Sequence, residues 1–73
     1  MDSEKMVHNA NQIALFFAAY SHEEAVAGVA NHLRMYGVPR MRQQIIEYVA
    51  AGGEGLHEIA IEAVKRLPAP VVR

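Results

Sequence analysis

Apolar residues at the start of the chain return at steps of three and four, so that Met6, Ala10, Ile13, Phe17 and Tyr20 fall on one helical face. Asp2 or Ser3, both N-cap residue types, predicts where this first helix begins. Lys5, His8, Asn9, Asn11 and Gln12 fill much of the other face of its first half. From Ile13 to Tyr20 the segment is apolar all round, and Leu15 and Phe16 point away from the stripe. Such a segment calls for cover on two sides.

Ser21-His22-Glu23-Glu24 has the form of a capping box, with hydroxyl and carboxylate each placed to satisfy an amide at a helix start. The second helix that follows carries the stripe Ala25, Val26, Val29, Leu33 and Tyr36, and Gly37 is expected to close it in the left-handed conformation. Gly28 in its interior costs roughly 1 kcal/mol against alanine, which suggests close approach of another helix. Pro39 cannot continue that helix but suits the first position of a third, where its missing amide hydrogen is not needed. Met41, Ile45, Tyr48 and Val49 form the third stripe with Ile46 beside it, and Gly52-Gly53 ends the helix. A fourth is expected from about Leu56 to Leu67, with Leu56, Ile59, Ala60, Ala63 and Leu67 on its apolar face. On that helix Glu58 and Glu62 precede Lys65 and Arg66, the order the helix dipole favours, and Pro68 stops it.

No stretch alternates with period two for long enough to make a strand, and no repeat is present. The expected fold is therefore all-α: a small bundle of four short helices with tight loops, forming a single helical domain over residues 1–67, with an extended C-terminal tail over 68–73. A chain of 73 residues cannot divide its buried surface between two cores. With no Cys it also lacks a disulfide staple or a thiolate metal ligand, so a thin core must be supported in another way.

Charge and polarity narrow the compartment and the ligand class. Met1-Asp2-Ser3-Glu4-Lys5 is polar and acidic, and no apolar run approaches the ~20 residues that cross a bilayer. Neither a signal peptide nor a membrane span is expected, and the cytoplasm is the expected compartment. A formal net charge of -1 with 21% charged residues argues against the domain-wide positive field of nucleic-acid binders.

Catalytic and metal chemistry find few candidates. His8, His22, His32 and His57 lie on separate predicted elements and form no pair at helical spacing, so they read as solvated polar residues. Ser3 and Ser21 sit where helix caps are expected, and the chain has no Thr. Glu23-Glu24 and Glu58-Glu62 suit a first turn and an exposed ladder. Gly52-Gly53-Glu54-Gly55 lacks the preceding strand and following Lys-Ser or Lys-Thr of a phosphate-binding loop, and reads as a helix-to-helix corner. No catalytic, cofactor-binding or metal-binding residue is assigned.

Two surface features remain. Between Ala25 and Ile46 there is no acidic residue, while Arg34, Arg40 and Arg42 cluster around Tyr36 and Pro39 with His32 nearby. This is compatible with a helix-turn-helix, but three arginines supply fewer phosphate contacts than DNA-binding domains use, and Arg, Tyr and Met are enriched in buried protein interfaces. Leu15, Phe16 and Ile46 are surplus to the core stripes and need a second surface, either another copy or a larger partner.

Several of these segments taken together resemble a known family. Met6-Val7-His8-Asn9-Ala10-Asn11-Gln12-Ile13-Ala14-Leu15-Phe16-Phe17 is similar to the opening of the small delta subunit of NAD-dependent molybdenum or tungsten formate dehydrogenases. Ala25 to Arg34, then Pro39-Arg40-Met41-Arg42, then Gly52-Gly53-Glu54-Gly55-Leu56 continue the likeness in order, over most of residues 6 to 67. Where that family often has a Phe-Trp pair ahead of the Pro-Arg-Met element, this chain reads Met35-Tyr36-Gly37-Val38.

The resemblance implies a noncatalytic subunit of a cytoplasmic complex that oxidises formate to carbon dioxide with NAD. It implies docking on the large catalytic alpha subunit as a hetero-oligomer, in support of its assembly or stability. It also implies that bis-molybdopterin molybdenum or tungsten, iron-sulfur clusters and FMN are held by neighbouring subunits, with no cofactor on this chain. The residues expected at the partner interface are Leu15, Phe16, Phe17, Arg34, Tyr36, Pro39, Arg40, Met41 and Arg42. The alternative from the residues alone is a small homodimeric helical module acting as a DNA-binding regulator.

Overall fold

The structure is a computed structural model that describes residues 3–67. Four helices follow in order: α1 Ser3–Phe17, α2 His22–Tyr36, α3 Pro39–Ala50 and α4 Glu58–Lys65. Among the described residues there is no strand, and the expected all-α bundle of four short helices is what the chain forms. The expected tail over 68–73 lies outside the described residues. α2 packs chiefly on α4 and α1, α1 also reaches α4, and α3 leans mainly on α4.

The three mutually packed helices come together on small side chains. Ala14, Ala25, Ala60 and Ala63 are fully buried, and Met6, Ala10, Val26, Val29, Leu33, Ile45 and Val64 complete most of the core. Alanine at a helix contact lets the backbones approach closely. This rotates α1 relative to the expected stripe: Met6, Ala10 and Ala14 face inward, while Ile13 and Phe17 are half-buried at the margin. Tyr20, expected in that stripe, is exposed, because α1 already ends at Phe17 and the chain turns through Ala18–Tyr20. Tyr36 at the end of the α2 stripe is exposed too. Ile46, expected to need an outside surface, instead packs half-buried against the core beside α4.

Ser21 caps α2, its hydroxyl oxygen accepting from the Glu24 amide at 3.3 Å and its hydroxyl donating to the Glu24 carboxylate at 2.9 Å. Gly28 serves close packing as expected, though its neighbour is a ring: a Cβ there would fall 2.6 Å from Cδ1 and Cε1 of Phe17. Replacing Gly28 with alanine improves helix propensity by roughly 1 kcal/mol but overpacks the Phe17 seat at a cost of about 2 kcal/mol. The expected result in urea unfolding is a net loss of about 1 kcal/mol. In a Phe17→Ala background the same substitution should stabilise, and a stabilised single variant would contradict the seat.

Gly37 departs from expectation. Its φ of -81° and ψ of 133° are extended, not left-handed, because Val38 must enter α3 as N-cap ahead of Pro39. Its lack of a side chain still matters, since a Cβ would meet the Leu33 carbonyl oxygen at 2.5 Å. The α3 terminus follows the expected glycine stop: Gly52 and Gly53 have positive φ, and their amides donate to Val49 and Tyr48 carbonyls in a Schellman arrangement.

α4 is shorter than expected. His57 caps it, its Nδ1 accepting from the Ile59 amide at 3.1 Å, so Leu56 and Leu67 flank the helix as buried plugs. Its charges also reach outward to α2 instead of forming a ladder along α4. Arg66 pairs with Glu23 at 2.8 Å and Glu62 bonds His22 at 2.5 Å. The hydrogen bond and charge of Arg66 hold the Glu23 carboxyl below its ordinary range. A depressed folded-state value contributes stability above the unfolded carboxyl range and loses it as pH falls through the folded value. Glu23→Gln should therefore be slightly less stable than wild type at neutral pH, and the two should converge on acidification in urea titrations.

Candidate partner interface

The apolar surplus of α1 lies at the surface. Phe16 is 72% and Leu15 58% exposed, large values for side chains whose burial would each contribute about 1.5–3 kcal/mol. The position of Phe16 follows from helix geometry, since with Met6, Ala10 and Ala14 facing inward it falls on the outward flank. Its ring meets Phe17 edge-on at 5.1 Å between centroids, and Phe17 in turn lies 6.0 Å from the ring of Tyr20.

Beside Phe16 runs a groove of about 310 Å³ between α1 and α2, lined by Gln12, Ile13, Phe16, Phe17 and His32. His32 carries this strip toward the end of α2, its ring 5.0 Å from that of Tyr36. Aromatic side chains thus extend from Tyr20 through Phe17 and Phe16 to the groove, and on through His32 to Tyr36. A strip of this kind offers large, stiff apolar area with polar atoms at its margins, which suits contact with another polypeptide.

The arginine-rich corner divides into two parts. Arg42, expected at an interface, is turned inward: its guanidinium donates to the Gly37 carbonyl at 2.6 Å and the Arg34 carbonyl at 3.2 Å. It satisfies carbonyls left over at the C-terminus of α2 and so fixes the angle between α2 and α3. Arg34, Tyr36, Pro39 and Arg40 are exposed, while Met41 and Phe17 are half-buried. The structure therefore places Leu15 and Phe16 on one face and Arg34, Pro39 and Arg40 at the α2–α3 corner, with Tyr36 joining the two regions.

Sequence reasoning missed Gln12 and His32 as groove residues, although each stands one helical turn before an aromatic residue assigned to the interface, Phe16 and Tyr36. It also missed Asn11. The Asn11 side-chain amide donates to the Gly55 carbonyl at 2.9 Å and accepts from the His57 amide at 2.8 Å, so that it ties α1 to the loop before α4. The segment Met6–Phe17 and the segment Gly52–Leu56, both of which carry the resemblance described above, are joined by this clamp.

The chain has no Cys, and among the described residues no three His, Asp or Glu stand close enough to hold a metal ion. Among the described residues no helix is long and apolar enough to cross a membrane.

Comparison with known proteins agrees with this inventory of segments. Residues 5–64 match the family model described as the NADH-dependent formate dehydrogenase delta subunit. No curated protein and no solved structure matches the chain. With the match spanning both motif segments joined by Asn11 and the whole of the corner fixed by Arg42, the chain belongs to the NADH-dependent formate dehydrogenase delta subunit family.

Proposed function

We propose that this chain is a noncatalytic accessory subunit of a cytoplasmic formate dehydrogenase complex, docking on the large metal-cofactor alpha subunit and supporting its assembly or stability. The observation that carries this reading is the exposed pair Leu15 and Phe16 beside an aromatic groove, in a chain whose family takes its name from a subunit. Leaving such residues in water forgoes burial that a small domain can ill spare, and a larger polypeptide recovers it. Oxidation of formate to carbon dioxide, with its bis-molybdopterin molybdenum or tungsten, iron-sulfur clusters, FMN and NAD, then belongs to the neighbouring subunits. The absence of Cys in this chain supports that division of labour.

The test is affinity purification of the tagged chain from its native cells. Co-purification of a molybdenum or tungsten formate dehydrogenase in fixed proportion is expected. Recovery of the chain alone, from cells in which the enzyme is abundant, would remove the reading.

A further inference from the structure

The docking face on α1 is not the only unpartnered surface. Four consecutive positions at the α2–α3 corner include three exposed large hydrophobic residues, Met35, Tyr36 and Val38, around Gly37. Arg34 and Arg40 flank this turn, both exposed, and neither side chain has an ion pair or hydrogen bond among the described residues. The other two arginines of the described residues are occupied, Arg42 on α2 carbonyls and Arg66 on Glu23. No carboxylate lies in the sequence from Ala25 to Ile46. The nearest one along α3, Glu47, shares a groove with Arg40 and accepts from the Gln43 side chain at 3.3 Å.

Next to the turn is a small apolar groove of about 210 Å³, lined by Val38, Arg40, Met41 and Gln44. The corner cannot flex freely, because the Arg42 guanidinium bridges the Gly37 and Arg34 carbonyls and holds the end of α2 against the start of α3. Two unpaired arginines at either end of an exposed apolar turn, an apolar groove beside Arg40 and the Arg42 brace form a surface whose complement is an acidic segment carrying an apolar residue.

We infer that the α2–α3 corner is a second docking site, which takes an acidic, apolar-bearing segment of the partner subunit along the exposed turn from Arg34 to Arg40. This rests on the reading of the chain as a docked subunit, and it names the chemistry of the segment it grips. Carboxylates of the segment pair with the two guanidinium groups, where arginine offers bidentate geometry, and its apolar residue enters the groove beside Val38 and Met41. The salt-sensitive share of binding belongs to this corner, and the salt-insensitive share to the Leu15–Phe16 face.

Two measurements on the full chain test this. In the first, formate dehydrogenase purified from cells lacking the chain is titrated with wild type, with Arg34→Glu/Arg40→Glu, and with Arg34→Lys/Arg40→Lys. The double reversal should weaken binding by about a hundredfold at low salt, the lysine variant by about tenfold, and both differences should shrink as salt is raised. Wild-type binding with the reversal variant folded and within twofold of it would overturn the inference while leaving the docked-subunit reading intact.

In the second, the isolated chain is titrated with a glutamate–tyrosine copolymer and its amide resonances are followed. Shifts centred on residues 34–41, lost in the reversal variant, are expected. Should wild type fail to bind the enzyme at all, the docked-subunit reading falls, and the copolymer result alone decides the chemistry of the corner. No response there, or a response to duplex DNA and none to the copolymer, would overturn the inference.

Discussion

Replacing Leu15 and Phe16 together with serine is expected to weaken attachment of the chain to formate dehydrogenase by about a hundredfold while leaving the isolated chain folded. The two residues are exposed, so their loss removes little from the core; the main cost within the chain is the edge-on Phe16–Phe17 contact, about 1 kcal/mol. In the proposed complex the same residues serve as central apolar anchors. Truncating an anchor of that kind costs about 2 kcal/mol or more, and a hundredfold loss for the pair allows for their non-additivity. Titration of the enzyme purified without this chain, together with thermal unfolding of the isolated variant, separates the two effects. Unchanged affinity in a folded variant would move the interface away from α1.

Asn11→Leu should have the opposite profile, a large loss of stability from a residue outside the apolar core. Its amide makes two bonds across sequence separations of 44 and 46 residues, one to the Gly55 carbonyl and one from the partly buried His57 amide. Leucine keeps the volume but leaves both backbone groups without a partner, at about 1 kcal/mol each with a further penalty for the shielded amide. A loss of about 2–3 kcal/mol is a large fraction of what a domain this small possesses. Hydrogen exchange at His57 should accelerate along with the drop in urea midpoint.

Asn11→Asp gives a graded control. The carboxylate still accepts from His57 but cannot donate to Gly55, so this variant should recover stability as acid protonates it and restores the donor. A wild-type urea midpoint for Asn11→Leu would show the clamp to be incidental.

Leu15, Phe16 and Asn11 also show what could be read from the chain and what could not. Boundaries were legible wherever a local signal decides them: the Ser21 cap, Pro39 at the first turn of α3, and Gly52-Gly53 at its end act within a few residues. The exposure of Leu15 and Phe16 was legible as well, because a segment apolar on every side cannot bury all of itself. The rotation of α1 was not. Periodicity continued the stripe from Met6 and Ala10 to the bulky Ile13 and Phe17, whereas close packing against α2 and α4 selected Ala14, whose small size carries little weight in a hydrophobic pattern.

Tyr20 and Tyr36 were assigned to stripes by spacing, yet each stands at or past a helix end, where the neighbouring helix no longer covers it. Arg42 was grouped with the other arginines by charge. Its distinguishing feature was position, a cation just beyond a helix C-terminus with carbonyls to satisfy, and that signal was available. Asn11 offered no such signal, because its partners are backbone groups more than forty residues away.

The central claim is that the exposed apolar face of this chain is covered by a larger polypeptide of a formate dehydrogenase complex. A native mass spectrum of the enzyme isolated intact from its own cells tests it most directly. The account predicts that the 73-residue chain is present in the assembly and is lost from it when Leu15 and Phe16 are serine. An assembly complete without the chain, with the chain found only as a free monomer or as a pair of its own copies, would contradict it.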